Sequence, residues 1–587
     1  MLNKLTEVDK LQAKEIKMRV KPWIYIIIIV FTLTICGTIA AQESLSSSKT
    51  YADMVLLNGK IITVDARDSI AQAVAVKGDK IIKVGTNESI RSLIGPNTRT
   101  LDLKGKTATP GLIDSHIHVM YYGRQFWPGY LNIRFPDVRS KADLLRLLSQ
   151  KAGQTPKGEW IPGNQGFQLQ PGEVLTREDL DNVAPQNPVY LRHSSGQFAV
   201  VNSAALKLAG INKNTTDPYG AKIIRDPATH EPTGVLLHYP AENLVGKYAK
   251  GYGDRSENEL IEDIKRGQDI CLSAGYTSGQ DVIVSSMRDI EAYKKVAANN
   301  QLKMRIYLML YVHSEAQAEQ YARIIKPFKT EMLTFGGWKL ALDGGIAAGT
   351  TLMYDKNLFA SKHSYYYHEP ETLKRIVKTL HNTGMQVAFH VVGDQAIDEA
   401  LDAIEAALKE SPRENPRHRL EHVLFPTQAA LERTKKLGVV LSMQPQWISW
   451  FGAGMKQATD DVTMKRFMPL RTIEQMGIPL AFGCDVPASL SHDPKWAFWG
   501  AITRMSKNGY VPSPQERLSI KNVLRIHTMG SAYAAFEEKI KGSIEEGKLA
   551  DIVVWSHDFY SMFPRQLNDL KAEMTMVGGN IVYGKLE

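Results

Sequence analysis

The chain has 587 residues, a formal net charge of +9, 43% hydrophobic residues and 23% charged residues. Its length exceeds the usual size of a single domain, and this balance of apolar and charged residues excludes an intrinsically disordered protein. The basic residues are not clustered with aromatic residues, so we predict no nucleic-acid partner, and three cysteines are too few for a disulfide framework.

The first 41 residues have the layout of a secretory signal peptide. Basic residues precede the apolar run 23–31, and this run gives way to small residues before Ala41. We therefore expect export to the periplasm or the medium, with cleavage near Ala41. The alternative is an uncleaved membrane anchor, because the apolar span approaches the length that crosses a bilayer. In either case this segment is the part of the chain expected to contact a membrane.

Short β runs occupy both ends of the remaining chain. In residues 42–108, two apolar runs flank Asn58-Gly59, a strong hairpin signal, and a second pair of runs flanks Gly78-Asp79. Residues 536–587 contain further short runs. Neither end has enough strands to bury a core alone, so we expect both ends to form one small β-sandwich.

Between these ends, residues 109–535 alternate short apolar runs with helical patterns. Eight strand-then-helix units predict a TIM (β/α)8 barrel. About 160 residues separate the first two strands, far more than a normal βα loop, so residues 119–255 are expected to form an insertion that caps the barrel mouth. The predicted barrel strands are Thr107–Asp114, Tyr276–Val282, Met304–Val312, Gly337–Leu342, Val387–His390, Arg419–His422, Val439–Met443 and Leu480–Cys484.

Two of the three cysteines, Cys271 and Cys484, lie in this central region. They do not form a Cys-x-x-Cys metal motif. We expect two separate buried thiols, and a single disulfide between them is the alternative.

The most informative motif is TPGLIDSHIH at residues 109–118, where the first predicted barrel strand ends. His116 and His118 are two residues apart, so their side chains lie on the same face of a strand and can bind one metal ion. A His-x-His pair alone is not specific. Its meaning depends on whether other strands supply further ligands.

Other predicted barrel strands do carry such side chains at or near their C-terminal ends, where the chemistry of TIM barrels is located. These residues are Lys339, His390, His422 and Asp485. Imidazole and carboxylate groups are zinc ligands, which makes zinc the default metal. Taken singly, each has a structural explanation: a histidine can be hydrogen-bonded in the core, Asp485 can cap the next segment, and Lys339 can pair with Asp343. Their joint placement predicts a metal site.

The chain resembles the metal-dependent amidohydrolase superfamily, specifically the YtcJ-like amidohydrolase family 3. The resemblance covers nearly everything after the first 41 residues and rests on motifs that occur in the same order. They are LNGKI at 57–61, TPGLIDSHIH at 109–118, VNSAAL at 201–206, PTGVL at 232–236, Lys339 with Asp343-Gly344, HVVGDQA at 390–396 and GSIEEGKLAD at 542–551.

This resemblance implies a distorted barrel and hydrolysis of C–N bonds other than peptide bonds. It also implies two metals: His116, His118 and Asp485 on the more buried one, His390 and His422 on the second, and Lys339 bridging both as a carbamate formed with carbon dioxide. Some relatives use one metal and an unmodified residue. Where relatives often have an acidic residue, this chain has His238-Tyr239, which affects the identity of the substrate rather than the metal centre.

The expected reaction is hydrolysis of a small N-substituted amide or formamide by a metal-activated water. Asp485 is the expected general base, and His193 is the candidate for a substrate-facing group, with a structural role in a turn as the alternative. Aromatic residues after the first and seventh strands either line an apolar pocket or pack the insertion onto the barrel. They are Tyr121, Tyr122, Phe126, Trp127, Trp447, Trp450 and Phe451.

Two other functions stay open at this point. One is a one-metal deaminase or a hydrolase of a cyclic amide or ester. The other is an exported binding protein without turnover, against which the intact set of candidate ligands argues. No sequence feature indicates an oligomeric state.

Overall fold

The structure is a computed structural model of the chain, and it describes residues 50–134, 137–169, 173–252, 255–360 and 366–586. The predicted signal peptide and its cleavage site lie outside the described residues. Within the described ranges, no helix is both long enough and apolar enough to cross a membrane. The features below belong to the unit Ala52–Glu587.

Eight parallel strands form a nearly closed barrel, and each strand pairs with its neighbour in chain order. This arrangement confirms the predicted barrel. The strands are β1 Leu112–Ile117, β2 Tyr276–Val284, β3 Arg305–Tyr311, β4 Leu333–Ala341, β5 Gln386–Val391, β6 Arg419–His422, β7 Val440–Met443 and β8 Leu480–Phe482. A short strand, Phe328–Lys329, pairs antiparallel with β4.

Helices follow the barrel strands and cover them with apolar faces. In Pro370–His381, for example, Leu373, Ile376, Val377 and Leu380 recur at helical spacing and are buried in the main core. The other α-helices here are Val119–Arg124, Glu257–Ser273, Met287–Ala298, Glu315–Ile324, Asp394–Glu410, Gln428–Lys436, Gln446–Gln457, Asp461–Lys465, Leu470–Gln475, Lys495–Thr503, Ile520–Arg525 and Ser531–Ala534. Shorter helical segments are Ile346–Ala348, Leu358–Ala360, Pro514–Glu516 and the π-helix Ile526–Gly530.

The barrel closes between β1 and β8 through backbone groups and one buried carboxylate. Asp485 N–H donates to His116 C=O at 2.7 Å. The Asp114 carboxylate accepts from His116 N–H at 2.9 Å and from Cys484 N–H at 3.1 Å. Gly483 permits this approach, because a Cβ atom there would lie 2.4 Å from the His116 nitrogen. Closure therefore brings the ends of the first and last strands together.

The insertion between β1 and β2 has its own five-stranded sheet. In sheet order its strands are Lys222–Arg225, Pro232–Leu237, Phe198–Val201, Val189–His193 and Ile161–Phe167. Its helices are Lys141–Gln154, Arg177–Val183, Ser203–Leu208 and His238–Gly246. Separate apolar clusters hold this region together, and its residues line the same cavity as the C-terminal ends of the barrel strands.

Strands from both ends of the chain share a six-stranded sheet, in which Thr107–Pro110 pairs antiparallel with Ile552–Trp555. The other strands of this sheet are Lys60–Ile62, Ile70–Ala71, Ala572–Val577 and Asn580–Gly584. A four-stranded sheet contains Met54–Leu57, Ala73–Lys77, Lys80–Gly85 and Arg99–Asp102. One buried apolar cluster contains residues of both sheets, and the helical segments of this region are Asn87–Arg91 and Pro564–Asp569.

The predicted hairpin at Asn58-Gly59 is wrong. The strands on its two sides, Met54–Leu57 and Lys60–Ile62, belong to different sheets and do not pair with each other. A two-residue type I′ turn needs positive φ at both central residues, and here Asn58 has φ +56° whereas Gly59 is outside that region. Gly59 instead makes room for Leu103, whose Cδ1 would lie 2.3 Å from an added Cβ.

The predicted first barrel strand, Thr107–Asp114, is two strands in the structure. Thr107–Pro110 belongs to the six-stranded terminal sheet, and β1 begins at Leu112. The chain changes sheets at Gly111, whose N–H donates to Asp551 C=O at 2.9 Å. A continuous apolar run does not reveal such a change, because both strands are buried.

Both cysteines of the central region are free thiols and both are buried, as expected. The disulfide alternative is therefore not realised between Cys271 and Cys484.

A buried ion pair ties the barrel to the terminal sheet and gives the first prediction. The Arg305 guanidinium donates to both oxygens of Asp551 at 2.8 and 3.0 Å, and Gly578 N–H donates to the same carboxylate at 2.8 Å. We expect Asp551→Asn to lower the free energy of unfolding by about 3 kcal/mol, because it removes the buried counter-charge of Arg305 and leaves only the exposed carboxylate of Glu331 at 3.1 Å. Urea unfolding followed by circular dichroism measures this change.

The matched control is Glu291→Gln, which removes an exposed pair with Lys294 and is expected to change stability by less than about 0.5 kcal/mol. Equal effects of the two substitutions would show that the Arg305–Asp551 pair does not stabilise the junction.

Candidate metal centre

Three of the predicted ligands meet at the seam where β1 and β8 close. His116 lies in β1, and His118 is the N-cap residue of helix Val119–Arg124. Their Nε2 atoms lie 3.3 and 3.0 Å from Oδ1 of Asp485, which follows β8. All three side chains are buried. The spacing of the two histidines therefore does aim both rings at one point, although His118 lies one residue beyond the strand.

The other predicted ligands lie beside this group at the ends of β4, β5 and β6. The rings of His116 and His422 are 4.7 Å apart, and those of His390 and His422 are 4.4 Å apart. One ligand atom each of His116, His422 and Asp485 lies within 4.8 Å of the others. Lys339 is buried and lines the same cavity. The structure thus brings the six residues predicted from the sequence to one end of the barrel.

Hydrogen bonds to the outer ring nitrogens orient two of the imidazoles. His116 Nδ1 lies 2.6 Å from Glu421 Oε2, and His422 Nδ1 lies 2.8 Å from Gln444 Oε1. A carboxylate or amide oxygen accepts, so Nδ1 carries a proton in both rings, and in the neutral form of either ring Nε2 is the nitrogen with the lone pair. Glu421 is in turn held by Arg419, whose Nε donates to Oε1 at 2.8 Å.

Sequence reasoning missed Glu421 and Gln444, although Glu421 is the neighbour of a predicted ligand. Alternation along a strand would place Glu421 and His422 on opposite faces. In the structure His422 has φ +76°, which breaks the alternation and lets both side chains contact His116. The sequence signal that was available is the presence of two charged residues, Arg419 and Glu421, in the predicted strand that ends at His422.

Two of the candidate ligands have left-handed backbone conformations that are unfavourable for residues other than glycine. His422 has φ +76° and Asp485 has φ +53°. Each such residue costs about 1–3 kcal/mol and persists only where its surroundings fix it, often at functional sites. Here the hydrogen bonds from Asp485 N–H to His116 C=O, 2.7 Å, and from Val423 N–H to Val391 C=O, 3.0 Å, fix both positions.

The carboxyl group of Asp485 is ionised in this setting. Burial acts to raise its pKa, but the neighbouring His116 ring and hydrogen bonds from His116 and His118 hold the pKa well below its usual range. Asp485 therefore offers an anionic oxygen and does not serve as a cap for the following segment, the alternative raised by its position.

Burial shifts three of the other candidate nitrogen ligands towards their neutral forms. It lowers the pKa of His390 to about 3, lowers that of His422 well below its usual value, and lowers that of Lys339 to about 8. Metal ligands must be unprotonated, so these shifts suit coordination. Asp343 does not neutralise Lys339, because its carboxylate accepts backbone N–H groups of Val392 and Gly393 at 3.0 and 2.9 Å.

The donor set fits divalent metals. Among the described residues, the buried side-chain atoms without a hydrogen-bond partner include Lys339 Nζ and His390 Nε2. Buried polar atoms are almost always satisfied, so two such nitrogens among the candidate ligands indicate a ligand. Four imidazoles and a carboxylate are the groups that bind zinc and similar ions.

The candidate ligands line a cavity of about 1160 Å³ whose walls come from both the insertion and the loops of the barrel. Of the aromatic residues singled out in the sequence, Tyr121, Trp447, Trp450 and Phe451 line this cavity. Instead, Tyr122 packs against Phe126, and Trp127 packs against Tyr130. Trp447 stacks on His422 with ring centroids 5.1 Å apart, which joins the apolar wall to the metal ligands.

His193 also lines the cavity, at the end of an insertion strand. Its ring stacks on Phe198 with centroids 4.3 Å apart, and its Nδ1 lies 2.8 Å from Ser195 Oγ. Burial lowers the pKa of His193 to about 3, so the ring is neutral. These contacts fix the ring at the cavity wall, where both the structural and the substrate-facing interpretations place it.

Comparisons with known proteins agree with this geometry. The sequence profile of the amidohydrolase family, Amidohydro_3, matches residues 99–583. YtcJ of Bacillus subtilis (strain 168) is 31% identical over 545 residues, which cover 90% of this chain and 98% of that protein. N-substituted formamide deformylase of Arthrobacter pascens is 28% identical over 541 residues, with coverages of 90% and 98%.

The fold comparison gives the same answer. The crystal structure of an uncharacterised metal-dependent hydrolase from Pyrococcus horikoshii OT3 matches with a TM-score of 0.68 and 24% identity, covering 87% of this chain and 99% of that one. A second such hydrolase, from Pyrococcus furiosus, matches with a TM-score of 0.66 and 24% identity, with coverages of 86% and 100%. As its motifs predicted, the chain belongs to the metal-dependent amidohydrolase family.

Proposed function

We propose that this hydrolase cleaves the C–N bond of small N-substituted amides, with N-substituted formamides as the preferred class. The observation that carries the proposal is the buried cluster of imidazoles around the ionised carboxylate of Asp485, which lines a large and mostly apolar cavity. The similarity to a relative named N-substituted formamide deformylase supports the choice of substrate class.

Two divalent metals, with zinc as the default, complete the proposed site. His116, His118 and Asp485 hold the more buried one, His390 and His422 hold the second, and Lys339 bridges them. When bound, such metals lower the pKa of a water molecule and polarise the carbonyl of the substrate. The orphaned nitrogens of Lys339 and His390 support this assignment.

Asp485 is the proposed proton carrier of the reaction. Its ionised carboxylate accepts a proton from the attacking water and then delivers it to the departing nitrogen. Addition of water breaks the C–N bond and gives a carboxylic acid, formate in the case of a formamide, and a free amine. The low pKa of Asp485 keeps it in the accepting form over the physiological pH range.

Lys339 is the proposed site of carbamate formation. Its Nζ would form a bond with the carbon of carbon dioxide and release one proton, which requires the neutral amine. Because burial lowers the pKa of Lys339 to about 8, roughly a tenth of the side chain is neutral at pH 7. The product is an anion with two oxygens, which can bridge two cations.

The walls of the cavity are proposed to select the substrate. Trp447, Trp450 and Phe451 offer apolar surface for the N-substituent, and His193 offers a neutral polar group from the insertion. Tyr239 lines the same cavity and stacks on His313, with ring centroids 5.5 Å apart.

The proposal also places the protein outside the cytoplasm, in the periplasm or the medium. The support is the N-terminal layout of basic residues, an apolar run and small residues before Ala41.

The main test is metal dependence of formamide hydrolysis. We expect purified protein to release formate from N-alkyl formamides, to lose that activity on chelation, and to regain it with zinc. Asp485→Asn should lower kcat by at least about 10²-fold, because it removes both a ligand and the proton carrier. Formate release and metal content measured on the same samples test this.

Other outcomes of this test would contradict or change the proposed function. Full activity of metal-free protein, or of Asp485→Asn, would remove the basis of the proposed function. Hydrolysis of cyclic amides or esters without hydrolysis of formamides would move the assignment to the alternative substrate class.

Lys339→Ala tests the bridging role separately. Without the carbamate we expect bound metal to fall from two ions to at most one, and kcat to fall at least about 10²-fold. A short carboxylate such as propionate can supply two oxygens to the space that is left, so it should restore part of the activity. Retention of two metals by Lys339→Ala would show that this residue does not bridge them.

Gln444→Leu tests how the metal ligands are oriented. The substitution removes the acceptor of the His422 Nδ1 proton, so we expect the metal dissociation constant to rise about tenfold. The control is Gln268→Leu, a buried glutamine that bonds Gln301 and Lys303 away from the site. Equal metal affinities in the two variants would contradict the orienting role of Gln444.

A further inference from the structure

One wall of the cavity contains the phenol of Tyr367, whose hydroxyl is hydrogen-bonded to a neighbouring side chain. Tyr367 lines the cavity, and its hydroxyl is hydrogen-bonded to His238 Nδ1. Gln197 Oε1 lies 3.5 Å from the same hydroxyl. His238 comes from the insertion, whereas Tyr367 lies in the segment between β4 and β5. The contact therefore joins the insertion to the barrel in the wall of the cavity that the candidate ligands also line.

His238 has an unusual backbone conformation that places its ring in this contact. It has φ +66° at the start of helix His238–Gly246. A histidine in this region is uncommon, and such positions persist where the surroundings fix them, often at ligand sites. The N–H of His238 donates to Gln197 C=O at 2.8 Å, which is one of the contacts that fix it.

The His238 ring also packs against the loop that follows β4. A Cβ atom at Gly344 would lie 2.6 Å from His238 Cε1, so glycine is needed for this approach. Gly344 follows Asp343, whose Oδ1 is 4.0 Å from His390 Nε2. The Tyr367–His238 pair therefore packs on the loop that follows β4, and Asp343 of that loop lies near His390.

The direction of the hydrogen bond follows from the chemistry of its partners. Burial lowers the pKa of His238 to about 3, so the ring is neutral and offers an accepting nitrogen. A phenol is a stronger acid than a neutral imidazole N–H, so the phenol donates its proton to Nδ1. The other neighbour, Gln197 Oε1, is also an acceptor. The phenol proton of Tyr367 therefore points towards His238 in the wall of the cavity. Towards a ligand in the cavity, the phenol oxygen acts as a hydrogen-bond acceptor.

A trans secondary amide presents complementary groups to such a site. Its C=O and N–H point in opposite directions, so an amide whose carbonyl faces the metals directs its N–H towards the opposite side. From this we propose that Tyr367 accepts a hydrogen bond from the N–H of the substrate, with His238 as the residue that positions it. This inference rests on the proposed function and narrows its substrate class. N-monosubstituted amides are preferred to N,N-disubstituted amides.

The test compares substrates with and without the N–H. The probes are N-butylformamide and N-butyl-N-methylformamide, assayed with the wild-type protein, Tyr367→Phe and the control Tyr219→Phe. Tyr219 lines the same cavity and is 64% exposed, so its substitution also removes one phenol hydroxyl from the wall.

We expect wild-type kcat/KM to be at least about tenfold higher for N-butylformamide. Tyr367→Phe should lower kcat/KM for this compound about tenfold and leave the N-methylated compound unchanged, so that the preference disappears. Tyr219→Phe should keep the preference. A purely structural role of Tyr367 would lower both values by the same factor, and that result would overturn the inference.

Failure of the inference and failure of the proposed function give different results. If both formamides are hydrolysed equally well by the wild-type and Tyr367→Phe proteins, this inference is wrong and the formamide hydrolase remains. If neither formamide is hydrolysed, the same comparison is made on binding of N-butylacetamide and N-butyl-N-methylacetamide, followed by tryptophan fluorescence. Equal affinities in that measurement would also overturn the inference.

Discussion

The closure of the barrel between its first and last strands is the constraint on which the site depends. The Asp114 carboxylate receives N–H groups from both sides of the seam, and Asp485 N–H donates across it to His116 C=O. Because Gly483 has no side chain, the two strand ends can approach within contact. His116 and Asp485 are far apart in the chain, and this seam sets the distance between their ligand atoms.

Closure places charged groups in a buried position, where they are stable only as a connected set. Arg419 pairs with Glu421, Glu421 accepts from His116, and His116 contacts Asp485. Removing any one member would leave a neighbour with an uncompensated buried charge or proton. The same connection fixes the tautomer of His116, so the groups that stabilise the core also prepare the ring for a metal.

Sequence patterns predicted the features that depend on periodicity and on strand ends. The barrel strands and the convergence of His116, His390, His422 and Asp485 follow from where apolar runs stop. What the patterns missed depends on single backbone angles and on pairing partners. The positive φ of His422 brings Glu421 into the site, and no spacing rule encodes it. Likewise, Asn58-Gly59 has the composition of a hairpin turn, but its two flanking strands pair with other strands in two different sheets.

The barrel supplies the candidate metal ligands, whereas the insertion supplies part of the cavity wall. This difference explains why the candidate ligands were easier to predict from the sequence than the residues proposed to face the substrate. The ligands come from strand ends that the barrel fixes, so their residue types and positions are tied to the fold. The opposite wall is built by the insertion, whose strands supply His193 and whose helix begins at His238. His238 reaches Tyr367 only because the insertion folds back over the loop at Gly344. His238 and Tyr367 lie in separate segments, and the periodicity of a helix or a strand relates only residues within one segment. The contact between them is therefore found only in the three-dimensional structure. If substrate choice is set there, relatives can share the metal centre and still differ in the amides they accept.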